Sequence, residues 1–340
     1  MRTGLKLTLL PLVAIAALAA AENAFATQRI AVSQTPSSLT IHLTQDQSDA
    51  QPAKITIYVP ASYGFTATGN AGDKIGTTSG QVFARDLRIP LPLSGDVLVA
   101  NQAALPPAEV AACSPGTHDA VWILHLTVAG QAIDLPVFVS RTSATEAALG
   151  SYKLDTCLGP ADVPAGTPSR SPNGAQLLDA TFTVSNVFTA PVGSARWTSL
   201  WTPYGVGTGA PNAAGTVEAR SIVGSGGVTL VTRITNRRKK RVRAGGRVTQ
   251  SGLPVAGVRV RLLLNSKPRF ATTTQGNGRY AFFLAKRGRV RTTFFQVLVN
   301  AAARDITGTA CASPSLPSVR CVSATAGPFT ARSPKRKVRL

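Results

Sequence analysis

Hydrophobic and polar positions alternate with a period of two through most of the chain from residue 27 onward. No apolar stripe of 3.6-residue period is long enough to outweigh that pattern. Leu39-Thr40-Ile41-His42-Leu43 and Ile55-Thr56-Ile57-Tyr58-Val59 are the clearest examples. Trp122, Leu124, Leu126 and Val128 share one face, Ala129-Gly130-Gln131 turns the chain, and Leu135, Val137 and Val139 bring it back, which predicts an antiparallel hairpin. Further strands are expected over 181–187, 197–201, 217–222 and 228–234, with Pro, Gly, Ser and Asn between them at short intervals. One short helix is expected over 143–149. The pattern predicts an all-β chain: an antiparallel β-sandwich region over 27–235, then a smaller β-sandwich. The Pro-, Gly- and Ser-rich run 159–172 reads as a long loop that either splits the first region into two units near 159–174 or is an excursion within one sandwich.

The N-terminal segment breaks this pattern. Arg2 and Lys6 precede an uncharged apolar run over 7–21, and Ala24-Phe25-Ala26 places small residues where a signal peptidase reads. Residues 1–26 are therefore expected to be a signal peptide cleaved at Ala26-Thr27. The apolar run falls short of the roughly 20 residues that span a bilayer, and no transmembrane span is expected after its removal. Four Cys remain, an even number that reads as disulfides in an exported chain. Of three pairings, Cys113–Cys157 and Cys311–Cys321 are expected, because each stays within one proposed domain. No C-x-x-C occurs, and His42, His118 and His125 lack ligand spacing, so no metal or cofactor is expected.

Charge changes the picture further. The chain carries 36 Lys+Arg against 15 Asp+Glu, a formal net charge of +21, but the excess is local. Residues 27–235 sum to −2, whereas residues 236–340 hold 23 basic side chains, 17 of them Arg, and one acid, Asp305. Residues 236–244, with Arg237, Arg238, Lys239, Lys240 and Arg241, read as a basic linker, and Lys286, Arg287, Arg289 and Arg291 form a second cluster.

Residues 245–284 carry the most specific pattern. Gly246-Arg247-Val248, then Gly252-Leu253-Pro254-Val255-Ala256-Gly257 and Val258-Arg259-Val260-Arg261-Leu262, are followed by Thr274, Gly278, Tyr280 and Phe282. This resembles the carboxypeptidase regulatory-like domain, a small transthyretin-like (prealbumin-like) sandwich, over about 40 residues. The resemblance implies a fold for 245–340 and a non-catalytic module such as those attached to exported peptidases, receptors and surface proteins. If Val258, Val260 and Leu262 point inward, Arg259 and Arg261 share the outer face, and alternation does the same for Arg289 and Arg291. Arginine forks suit phosphate and carboxylate.

Catalytic signatures are missing. There is no G-x-S-x-G, H-E-x-x-H or P-loop, and Gly205-Val206-Gly207-Thr208-Gly209-Ala210 is flanked by Pro203 and Pro211, against a strand-to-helix nucleotide turn. Thr117-His118-Asp119 reads as a loop beside a disulfide. Trp197, Ser199 and Trp201 read as core. The expected function is a non-enzymatic protein of the bacterial envelope or exterior, attached by its basic domain to anionic polymers or lipids. Specific nucleic-acid recognition is not expected, since export and scarce aromatics argue against it. The alternative is an exported hydrolase with its active site in 27–235.

Overall fold

The computed structural model describes residues 26–67, 69–191, 193–236, 241–285, 292–312 and 315–339. The chain is all-β and sandwich-like, as the alternation predicts. The expected leader lies outside the described residues up to Phe25, and no helix among those described is long and apolar enough to cross a membrane.

Thirteen of the described strands form one sheet. From one edge it runs Arg29–Gln34, Ser38–Thr44, Ala175–Ser185, Lys74–Ala84, Ile89–Ala100, Ala120–Val128 and Gln131–Arg141. It continues through Tyr152–Cys157, Pro52–Val59, Ser194–Pro203, Val217–Gly224 and Arg320–Ala326 to Arg304–Asp305. The sheet curls until its first edge meets its last strands. Val32 N donates to Ser221 Oγ at 2.9 Å, and Thr325 Oγ1 donates to the Ile30 carbonyl at 2.7 Å, so side chains close the ring where no ladder does. The strands on either side of the 159–172 run, Tyr152–Cys157 and Ala175–Ser185, belong to this same sheet, so the run is an excursion within one unit.

The expected hairpin forms between Ala120–Val128 and Gln131–Arg141, with positive φ at both Ala129 (48°) and Gly130 (79°), the pair of torsions that a two-residue hairpin turn requires. The indole and phenyl rings of Trp122, Trp197, Trp201, Phe182 and Phe188 fill the centre, with Tyr63 edge-on to Trp197 at 5.0 Å. Trp197, Ser199 and Trp201 are all buried, and the Trp201 indole N–H donates to Ser199 Oγ at 2.9 Å.

The one expected helix is not found where the sequence placed it. Residues 143–149 form turns in which Ser143 Oγ donates to Glu146 Oε2 at 2.8 Å; Lys153 also donates to that carboxylate, holding it toward the following strand. A helix stands instead at Pro107–Cys113, where a proline at its first turn presets φ and only Val110 and Cys113 are buried. Seven residues are too few for a helical period to register.

The second unit is a sandwich of two five-stranded sheets. One is built around Arg241–Gln250, paired with Gly226–Val228, Val231–Asn236, Leu253–Pro254 and Arg279–Ala285. The other holds Lys267–Thr273, Arg259–Leu264, Thr292–Ala301, Phe329–Arg332 and Arg336–Arg339. Val242, Ala244, Val248, Val260, Leu262, Tyr280 and Phe282 form its core with Phe295, Val297 and Val299. The expected linker 236–244 is therefore replaced from residue 241 by a strand: Val242 and Ala244 alternate inward between arginines, and the charges belong to its outer face.

The sandwich also departs from a self-contained 245–340 unit. It recruits Gly226–Val228 and Val231–Asn236 from upstream, and the chain leaves it after Ala301. Arg320–Ala326 then pairs in parallel with Val217–Gly224 of the large sheet. Buried Glu218 and Arg220 anchor that return, Arg220 donating to Glu218 and to Ser315 Oγ at 3.1 Å. The disulfides are Cys113–Cys157, joining the short helix to a central strand, and Cys311–Cys321. The second one sits at the edge of the large sheet and not inside the small sandwich, because its loop belongs to the returning segment.

Candidate functional site

Alternation in the small sandwich sends every second side chain to solvent, and on both sheets those positions are basic. On Arg241–Gln250 the outward residues are Arg241, Arg243, Gly245 and Arg247. Register then places Arg233 directly opposite Arg243 on one side and Phe283 opposite it on the other. Four residues along the strand, Arg247 stands directly opposite Arg279. The Arg243 guanidinium lies 5.8 Å from the Phe283 ring centroid, and Phe283 is 77% exposed. Five arginines thus share one three-stranded surface with an exposed aromatic ring.

The opposite sheet repeats the theme. Arg259 and Arg261 both face outward as expected. Register carries the row of Arg261 through Leu298 to Arg332, and Lys337 stands opposite the exposed Phe294. The cations accordingly occupy both outer faces and do not gather on one.

What these faces lack is as informative. Asp305, the lone acid of the basic region, pairs with Arg29 of the large sheet at 2.9 Å. Among the described residues, Arg233, Arg241, Arg243, Arg247 and Arg279 make no ion pair, while Arg247 Nε donates to the Asn277 carbonyl at 3.0 Å. Like charges placed directly opposite across a ladder destabilise it. Both Arg233/Arg243 and Arg247/Arg279 are such pairs, and an anion between them would turn repulsion into shared attraction.

Of the residues singled out from sequence, Arg241, Arg259 and Arg261 are described and exposed. Arg237, Arg238, Lys239, Lys240, Lys286, Arg287, Arg289 and Arg291 lie outside the described residues. The residues bordering those runs, Asn236, Arg241 and Ala285, stand side by side in the ladder. Sequence reasoning missed Arg233, Arg243, Arg247, Arg279, Arg332, Lys337 and Phe283 as members of the surface. The signal for Arg243 and Arg247 was their alternation with Val242, Ala244 and Val248.

In the large unit, His118 Nδ1 meets Ser140 Oγ at 2.7 Å, and burial lowers the His118 pKa. Ser140 is buried, and the nearby carboxylate of Asp155 is engaged by Thr56, Ser114 and Lys54, so the His118–Ser140 pair lacks both access and an orienting acid. His125 meets Asp134 at 2.6 Å in solvent, on the face opposite Trp122. Among the described residues no three of His, Cys, Asp and Glu stand together as a metal site. Residues 205–210 form a turn with positive φ at Gly207 and Gly209, without the helix a nucleotide would need.

Thr27 is held by a buried carboxylate. Asp49, 4% exposed, accepts from the Thr27 backbone nitrogen at 3.2 Å on both carboxylate oxygens and from Thr27 Oγ1 at 2.5 Å. The Asp46 nitrogen also donates to it, at 3.0 Å. Among the described residues no Lys, Arg or His pairs with this buried carboxylate.

No known protein family and no curated protein matches this sequence. A solved structure described as a Ca2+-stabilized adhesin that helps an Antarctic bacterium reach out and bind ice is similar at 14% identity, over 87% of this chain and 81% of that chain. Its TM-score is 0.19, too low to carry an argument about this molecule.

Proposed function

We propose that this chain is an exported, non-enzymatic β-sandwich protein of the cell envelope or exterior whose basic C-terminal sandwich holds it to an anionic polymer or lipid. The observation that carries the reading is the pair of cross-strand arginine pairings, Arg233/Arg243 and Arg247/Arg279, presented to solvent without an ion-paired carboxylate among the described residues. A surface meant only for solubility gains nothing from opposed like charges, whereas an array of guanidinium forks binds phosphates or carboxylates.

Export rests on two supports. All four Cys are joined in disulfides, which a reducing cytosol disfavours. Cleavage at Ala26-Thr27 would also convert the Thr27 nitrogen into an ammonium against buried Asp49, giving that carboxylate the cation it lacks. The resemblance to carboxypeptidase regulatory-like domains adds to this reading. Val248, Val260, Leu262, Tyr280 and Phe282, which carry it, are core residues of a two-sheet sandwich, and such modules generally attach rather than catalyse.

The test is binding of the full processed chain to vesicles with and without anionic phospholipid, to an anionic polysaccharide and to duplex DNA. At least one anionic partner should bind, and Arg243→Gln with Arg279→Gln should weaken it at least ten-fold. Absence of binding to all of them, or binding indifferent to both substitutions, refutes the proposal.

A further inference from the structure

Side chains fill the interior of the large sheet only in part. Its inward residues fall into separate clusters: the ring-rich core around Trp122 and Trp197, and a smaller one of Val82, Leu93, Leu126 and Val128. Leu124 touches both. Between the two halves of the curled sheet lies a cavity of about 1060 Å³. Protein interiors normally pack with few voids larger than a water, and ligand pockets run to roughly 300–1,000 Å³. This space is of the second kind.

The walls are aliphatic. Ile41, Leu43, Ile57, Leu126, Leu135 and Leu177 represent the strands that face it. The hairpin of Ala120–Val128 and Gln131–Arg141 contributes most of one wall, its inward face continuing past Trp122 into the open space. The helix Pro107–Cys113 and the excursion around 158–172 form the rim, and Cys113–Cys157 ties that helix to a wall strand.

Most polar side chains at its margin are already engaged by protein, while Glu109 on the rim helix is exposed. Tyr204 donates to the Leu158 carbonyl at 2.6 Å, Thr156 Oγ1 to the Pro136 carbonyl at 3.1 Å, and Gln51 Oε1 accepts from Leu177 N at 3.0 Å. Arg170 is forked onto Asp86, and Lys54 is held by Asp155. None of the buried polar atoms left without a partner belongs to a residue lining this space. Water inside would find few partners, and a polar ligand would find few free donors or acceptors among the described residues. The space matches a molecule that asks for burial and nothing else.

We infer that the large unit binds one long hydrocarbon chain, the acyl tail of a lipid or fatty acid, in this cavity, with the ligand's head left at the rim beside Pro107–Cys113. The aliphatic lining and volume select the tail; the lining cations Arg170 and Lys54 are already held by Asp86 and Asp155, so no anionic head group is required. The inference is independent of the charge-based reading above, since hydrocarbon burial does not weaken as salt rises.

The test is titration of the oxidised, full processed chain with cis-parinaric acid, followed by displacement with palmitate and with hexadecanol. Saturable one-to-one binding is expected, displaced by the acid and the alcohol alike and unchanged between 50 and 500 mM salt. Leu135→Trp and Ala180→Phe, which put bulk into the cavity, should each weaken binding at least ten-fold; circular dichroism identifies which variants stay folded, and palmitate protection of the wild-type chain against thermal unfolding gives a readout needing no variant. Arg243→Gln should leave binding unchanged. No saturable binding and no protection by palmitate, full affinity in a folded cavity-filled variant, displacement by palmitate but not hexadecanol, or loss of binding in Arg243→Gln would each overturn the inference. The last outcome would assign the probe to the basic surface instead.

Discussion

Replacing Asp49 by Asn tests whether the chain's mature beginning is an ammonium at Thr27. Asp49 receives both the Thr27 nitrogen and the Asp46 nitrogen, with the Thr27 hydroxyl as well. Asparagine keeps one acceptor oxygen and turns an NH2 group toward donors, so it loses the charge and leaves at least one donor facing another. Hydrogen bonds to a charged group contribute about 1.5–3 kcal/mol each. Thr27 itself is exposed, which reduces the figure below that of a fully buried ion pair. About 3 kcal/mol should be lost when the chain begins at Thr27. A chain that keeps Ala26 and one residue before it presents a neutral amide at the same place, and Asp49→Asn should then cost only about 1.5 kcal/mol. Urea unfolding at pH 7 of the four proteins, two sequences with two beginnings, reads the difference. Equal losses for both beginnings, within about 0.5 kcal/mol, would refute the ammonium, and a loss below that size in either would mean that Asp49 does not hold the N-terminus at all.

Other parts of the account make independent predictions. Gly80→Ala should strongly destabilise the large sheet, by roughly 2 kcal/mol or more, because a Cβ there would stand 2.1 Å from the Asp179 carbonyl oxygen; a normal thermal midpoint would contradict that geometry. Removing the Cys113–Cys157 disulfide by a double Ser substitution should lower stability by about 4 kcal/mol for a loop with sequence separation 44, measured by denaturant unfolding under oxidising conditions. Burial opposes ionisation of Glu146, but hydrogen bonds from Lys153, Ser143 and Tyr58 outweigh it and hold the carboxyl at about 2, below its ordinary 4.5. Its contribution is therefore complete above pH 4.5 and lost as pH falls toward 2. Glu146→Gln should destabilise the chain at pH 7 and remove part of its acid sensitivity in that window; a parallel stability curve would argue against it.

The fold class was legible because alternation survives in Leu39–Leu43, in the Trp122 hairpin and around Val260. The strands Lys74–Ala84 and Ile89–Ala100 were not, since Gly76 and Gly80 and then Pro90 and Pro92 occupy positions where a periodic side chain would have signalled a strand. The two glycines are there because neighbouring carbonyls approach too closely for any Cβ. Arg320–Ala326 escaped for another reason: its small and polar side chains carry no period, and a parallel return to a distant strand leaves no local trace.

The same distinction holds for the sites. Arg259 and Arg261 could be placed on an outer face from spacing alone. Arg233 could not be matched to Arg243, because register across a run that reads as a linker is a tertiary fact. Nor could the cavity be foreseen: alternation says which face of a strand turns inward, not whether two inward faces meet. Leu126 and Leu135 look like core residues in sequence, and it is the separation of the sheet halves that turns them into walls.

The central claim is that the basic sandwich recruits an anionic partner through its opposed arginines, and salt tests it most directly. With duplex DNA as a probe of known charge spacing, the logarithm of the binding constant should fall linearly with the logarithm of salt, by roughly 0.9 per phosphate engaged. If the face around Phe283 engages four or five phosphates, the slope for the processed chain should be about −4, and Arg243→Gln with Arg279→Gln should make it shallower by roughly 2. A flat salt dependence, or a slope that both substitutions leave unchanged, would contradict the claim.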